Sequence, residues 1–170
     1  MFQILQLINN AGYFPKGEDS IEKLDFKKEL MAIDICALAP LRISAALINA
    51  GLLQKGSKII NITSQGGSVE WREVQNPSGG DYGHHMSKAA ANMMSMLLKK
   101  EVEGKGIMIG VFHPGFNRTE MTERYKDAWD KEGAVDPSVG AKRILYEALE
   151  LTMDKSGTFR NCEDGLEIPW

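Results

Sequence analysis

The sequence predicts an α/β fold built on a parallel sheet. Three observations carry that reading: short aliphatic runs bounded by turn residues, long stretches with apolar residues every three or four positions, and alternation of the two along 170 residues. The first strand is expected at residues 5–8, Leu-Gln-Leu-Ile, passing straight into Asn9-Asn10. A helical pattern over about residues 25–50 follows, with Phe26, Leu30, Ile33, Ala37, Leu41, Ala45 and Ile48 on its apolar stripe and Gly51 placed to end it. Pro40 is expected to kink it. The second strand, Lys-Ile-Ile-Asn-Ile-Thr, covers residues 58–63, and a loose stretch rich in glycine runs over 65–83. A second helix over about 84–103 carries Met86, Ala90, Met93 and Leu97 on one stripe, extended by Val102, and closes at Gly104. Its methionines, Met86, Met93, Met94 and Met96, are expected to serve packing. The third strand takes residues 107–112, an irregular stretch takes 114–133, and a third helix opens on Asp136 as N-cap with Pro137 at the first helical position. A fourth strand is expected over 158–161. With no repeat and no Pro/Gly/Ser-rich linker, residues 1–170 read as a single domain.

Composition narrows the function classes. The chain is 43% hydrophobic and 25% charged with a net charge of −3, which argues against disorder and gives no electrostatic footprint for nucleic acid. No apolar run is expected to span a bilayer, and the start lacks the basic region of a signal peptide. Cys36 and Cys162 lie far apart without metal-ligand spacing, so a disulfide framework is not expected and a reducing, intracellular compartment is the expectation. His84, His85 and His113 do not make a metal site on this reading, because adjacent histidines on a helix point apart and no carboxylate is fixed beside them.

Both loose stretches follow strands, where an open parallel sheet places its ligands. Asn9-Asn10-Ala11-Gly12 stands at the first strand end, Ser64 after the second, and His113-Pro114-Gly115 after the third, with Thr119 four residues beyond the glycine. Ser87-Lys88-Ala89-Ala90 opens the second helix. In this order the residues resemble the short-chain dehydrogenase/reductase family, over nearly the whole chain. The resemblance implies a Rossmann-like three-layer fold that binds NAD or NADP and moves a hydride between nicotinamide and a carbonyl or alcohol. Carried over residue by residue, Ser64 matches the serine that orients the substrate oxygen and Lys88 the lysine that lowers the acid's pKa and holds the nicotinamide ribose. Asn9, Ala11 and Gly12 match the cofactor-side loop, and Pro114, Gly115 and Thr119 the nicotinamide-side loop.

The departures from the family pattern are specific. His84 stands four residues before Lys88, where the family has its catalytic tyrosine, while Tyr82 faces another side of the helix. Cys36, or alternatively Asp34, stands where a helix asparagine supports a proton-relay water. The family's first βαβ units and their glycine-rich phosphate-binding turn have no counterpart before Leu5, and Gly66-Gly67 and Gly79-Gly80 follow the wrong strand to replace it. Tight dinucleotide binding is therefore not expected. The expectation is a non-catalytic accessory subunit whose partner covers the open sheet edge, or a homo-oligomer formed through the 84–103 helix. The alternative is an NAD(P)-dependent oxidoreductase in which His84 replaces the tyrosine.

Overall fold

The computed structural model describes residues 3–15 and 19–170. Its frame is a four-stranded parallel sheet in the order β1 (Gln6–Asn9), β2 (Lys58–Ile62), β3 (Met108–His113) and β4 (Phe159–Asn161). Each strand begins and ends within one residue of its predicted place. Parallel neighbours require crossovers, and the helices supply them. Between β1 and β2 run α1 (Phe26–Ile33), a π-helical turn (Asp34–Leu38) and α2 (Ala39–Asn49). Between β2 and β3 come a 3₁₀ turn (Gln65–Gly67), the short α3 (Arg72–Gln75) and the long α4 (Tyr82–Val102). A 3₁₀ segment (Glu120–Ala128) and α5 (Pro137–Glu150) lead to β4.

The register aligns Leu7, Ile59 and Ile109 across the sheet, and Ile8, Ile60 and Gly110 one position on. Alternation sends these two rows to opposite faces. Ile59, Ile109, Val111 and Phe159 pack with Met94, Leu98 and Val102 of α4, whereas Ile60 and Phe112 pack with Ala148 of α5 and with Leu151. The sheet is thus covered on both faces, a three-layer α/β arrangement. Gly110 has to be glycine here, since a Cβ would stand 2.8 Å from the Phe112 ring and 2.9 Å from Ile60 Cδ1.

Three expectations need correction. The irregularity near Pro40 is the π turn before it, closed by the Ala39 N–H donating to the Asp34 carbonyl. Pro40 cannot donate to residue 36, and its ring crowds that carbonyl, so widening the turn absorbs the conflict without a sharp kink. Second, much of the apolar stripe of each long helix faces outward: Phe26, Leu30, Met93 and Leu97 are each at least 60% exposed, while Ala37 and Val102 are buried as expected. Much of what turns inward is small or polar, namely Ala32, Cys36 and Ser44 on the first helix and Ser87, Lys88, Ala91, Asn92 and Ser95 on α4, beside the apolar Met94, Leu98 and Val102. Third, residues 26–49 do have the length and apolarity to cross a bilayer, with mean hydropathy 1.8.

Three of the buried polar residues form a chain, whereas the Ser44 hydroxyl and the Asn92 Nδ2 are buried without a partner. Asn9 Nδ2 donates to Asn61 Oδ1 (2.8 Å), Asn61 Nδ2 donates to Ser95 Oγ (2.9 Å), and Ser95 Oγ donates to the Ala91 carbonyl (2.7 Å). This chain ties β1, β2 and α4 together inside the protein, where an orphaned amide is costly. Asn61→Ala should therefore lower unfolding stability by roughly 2–3 kcal/mol in urea titration, since it leaves the buried Asn9 amide without its acceptor and takes the Asn61 donor from Ser95, which keeps its bond to Ala91.

Candidate active site

At the carboxyl ends of β1, β2 and β3 the chain makes its turns against the first turns of α4. The Ser64 hydroxyl accepts the Gly66 N–H at 3.0 Å and so caps the Gln65–Gly67 turn. That turn lies flat on the helix: a Cβ at Gly67 would stand 2.7 Å from the Lys88 backbone, and one at Gly66 would stand 3.2 Å from His84 Nε2. Thr63 Oγ1 adds a bond to Asn92 Oδ1 at 2.7 Å. The helix is held close enough for Lys88 to be buried.

Lys88 is 6% exposed, and its ammonium donates to the Ile62 carbonyl at 3.2 Å. Burial pulls its pKa down from the ordinary 10.5, and the Cys36 sulfur acts in the opposite direction. Cys36 reaches this position because the π turn carries it, and its sulfur accepts the Tyr13 N–H at 3.4 Å. Asp34 instead pairs with Arg42 on an exposed surface. Gly12 completes the surround, since a Cβ there would stand 3.8 Å from Lys88 Nζ.

Two histidines flank the lysine. His84 is held at a pKa of about 3, by burial first and then by the charges of Lys88, His85, Arg72 and His113. His113, at the end of β3, is held at about 4 by burial and by Lys88. Both are neutral imidazoles at neutral pH, and the Nδ1 of each is buried without a hydrogen-bond partner. His85 differs, because its Nδ1 lies 2.9 Å from the Gly66 carbonyl and serves to anchor the turn.

The structure therefore brings together Lys88, His84, Cys36 and Gly12, and adds His113, which the sequence reading had considered only for a metal. Other predicted positions have structural work. Asn9 is turned inward to Asn61, and the Thr119 and Thr122 side chains cap the Glu120–Ala128 segment in a reciprocal box. Pro114 and Gly115 open the loop after β3, with Gly115 at φ +85° and both carbonyls accepting from Asn117 Nδ2. Ala11 is exposed beside Gly12. The residues that sequence reasoning missed are Phe14, Asp81, Arg124 and Tyr125, which meet above His84.

A doubly covered parallel sheet with its polar cluster at the carboxyl ends of the strands defines an α/β protein of the nucleotide-binding type. The family model for short chain dehydrogenases matches residues 1–130, and the chain belongs to that family. It is 32% identical over 152 residues to 1-hydroxy-2-glutathionyl-2-methyl-3-butene dehydrogenase of Rhodococcus sp. strain AD45, covering 89% of this chain and 63% of that protein. It is 29% identical over 167 residues to the C-signal protein of Myxococcus xanthus, covering 96% and 91%. Among solved structures, the NADPH-bound carbonyl reductase from chicken fatty liver superposes with a TM-score of 0.76 at 24% identity, over 99% of this chain and 67% of that one. The chain thus spans under two thirds of the Rhodococcus dehydrogenase and nearly all of the C-signal protein.

The two histidines give the fold a definite response to acid. An unfolded histidine takes up a proton near pH 6.5, while His84 and His113 resist until about 3 and 4, so their contribution is complete above 6.5 and is lost as pH falls. Glu29, whose pKa burial raises, works in the opposite direction. Urea midpoints measured at pH 7, 6 and 5 should fall, each histidine adding a slope of about 1.4 kcal/mol per pH unit below 6. His113→Asn should remove its share of that slope.

Proposed function

We propose that this chain carries the nicotinamide-side half of an NAD(P)-dependent oxidoreductase acting on a carbonyl or alcohol. The observation that carries the reading is the buried Lys88, set between the Ile62 carbonyl, Gly12 and two neutral histidines at the carboxyl ends of the strands. The kinship with a dehydrogenase and the likeness to an NADPH-bound reductase support it.

The residues suit the nicotinamide end of the cofactor. Gly12 brings no side chain of its own against Lys88 Nζ, and the orphaned Nδ1 atoms of His84 and His113 are polar groups in want of a partner. The glycine-rich turn that would cradle the pyrophosphate is not found in the sequence, so this half alone should hold the dinucleotide weakly. When bound, the nicotinamide supplies or accepts the hydride. Ser64 and a ring N–H of His84 orient the substrate oxygen, with neutral imidazole acting as a hydrogen-bond donor to the developing alkoxide. The proton comes from Lys88 Nζ, which its lowered pKa makes a better acid than an exposed lysine. Cys36 acts on the lysine through its electrostatic effect, as a positioning group rather than a participant.

A second reading rests on a different observation. His84 is neutral and covered, and the apolar stripes of α1, α2 and α4 lie open on the surface, as an accessory subunit seated on a partner or a second copy would have them. The β1 edge of the sheet would be covered in the same way.

Titration of NADPH into the chain, followed by nicotinamide fluorescence, separates the two. Saturable binding that Lys88→Ala weakens about tenfold, with carbonyl-dependent NADPH oxidation that the same change lowers by about a hundredfold or more, supports the oxidoreductase. His84→Tyr should raise that turnover by restoring a phenol beside Lys88. An absence of both binding and oxidation rejects it in favour of the accessory role, for which sedimentation should show a species heavier than the 18.8 kDa monomer.

A further inference from the structure

The loop after β1 and the Glu120–Ala128 strap meet over the first turn of α4. The Phe14 ring lies 4.5 Å from the His84 imidazole, tilted by 40°. The Arg124 guanidinium stands 4.9 Å from the centre of that same Phe14 ring, and the Tyr125 ring lies 6.3 Å away and nearly parallel to it. Both strap residues converge on one carboxylate. Arg124 Nη1 donates to Asp81 Oδ1 at 3.1 Å, and Tyr125 Oη donates to Asp81 Oδ2 at 2.7 Å. Asp81 caps α4 with φ +50°, the one positive φ among the described non-glycine residues. A left-handed aspartate at a helix start is a conformation that its surroundings have to hold.

These contacts form a chain. Asp81 fixes the strap, the strap fixes Arg124, Arg124 holds Phe14 through a cation–π contact, and Phe14 covers the ring in the tyrosine position. We propose that Phe14 is a plug over His84 and that the strap is its latch, so that a substrate reaches His84 and Lys88 only when the Asp81 contacts open. What passes the gate rests on the oxidoreductase reading; the gate itself does not.

The charged and titratable groups that face His84 are Lys88 and His85 from its own helix, Arg72 from α3 and His113 from β3. None of them belongs to the latch, so a change in His84 on opening reports the loss of its cover. Tyr125→Phe removes one latch bond and keeps the Asp81 charge, Asp81→Asn weakens both bonds, and Phe14→Ala removes the plug. In histidine-labelled chain followed by NMR, the His84 midpoint of about 3 should rise by at least one pH unit in each variant, while His113 stays near 4. A rise in both histidines together means general loosening and overturns the gate, as does a His84 that stays where it was.

A second measurement avoids acid altogether. Diethyl pyrocarbonate modification at pH 7, read site by site by mass spectrometry, should label His84 several-fold faster in Tyr125→Phe than in the parent, with His113 unchanged. An unchanged His84 rate overturns the proposal. Neither measurement uses a cofactor or a carbonyl. An inactive chain whose His84 is uncovered in the variants would defeat the oxidoreductase and leave the gate, while an active chain with an unmoved His84 would do the reverse.

Discussion

The site depends on one buried cation. Removing an ammonium from water is expensive unless an acceptor meets it, and Lys88 is met by the Ile62 carbonyl at the end of β2. Its position follows from backbone packing, because only the absence of a side chain at Gly67 lets the Gln65–Gly67 turn lie against the helix at Lys88. Once water is excluded, the lysine's charge is poorly screened and reaches both His84 and His113. Burial comes first in the neutrality of the two imidazoles and in the lowered pKa of the lysine, and the lysine's charge adds to it at the two rings. A side chain at Gly67 would push α4 outward, rehydrate the ammonium and undo all three effects together.

The same closeness explains why the inner faces of the long helices are small and polar. Ser87, Ala91, Asn92 and Ser95 let α4 approach, and Asn61 and Thr63 on the sheet side meet the polar members. Small residues contribute little apolar burial, so the bulk of the hydrophobic contact shifts to the sheet's own rows and to Met94, Leu98 and Val102 near the far end of the helix. The large residues Phe26, Leu30, Met93 and Leu97 are left outside as a consequence. This is an amphipathic pair of helices turned around, with its apolar side offered outward.

That inversion marks the boundary of what the sequence discloses. The strands were legible to within a residue because short aliphatic runs between turn residues admit few alternatives, and α5 was legible from Asp136 and Pro137. The stripe on α4 was legible as a stripe, but periodicity gives a direction around the axis and not which direction faces the sheet. Lys88, His84 and Cys36 were placed through family resemblance, and the π turn that carries Cys36 toward Lys88 while Asp34 pairs with Arg42 is announced by no local pattern. The Asn9 bond to Asn61 and the Thr119 capping box could not be read from the sequence, because each joins or closes segments that only the fold brings together. Phe14, Asp81, Arg124 and Tyr125 were invisible because their contacts join segments more than 40 residues apart, each ordinary by itself.

The histidine in the tyrosine position is easier to understand from the lysine's field than from the histidine alone. Beside a phenol, the Lys88 charge favours loss of the proton and makes an acid of it. Beside an imidazole, burial of the ring and then the same charge disfavour gain of a proton, and together they hold the ring neutral with a pKa of about 3. One field thus makes a phenol a proton donor and an imidazole a hydrogen-bond donor only. In the proposed reaction the proton has then to come from another group, and the group whose acidity burial has raised is Lys88 itself. The substitution moves the acid by one helical turn, and Cys36, which opposes that shift from the facing π turn, stands where it can set how far the move goes.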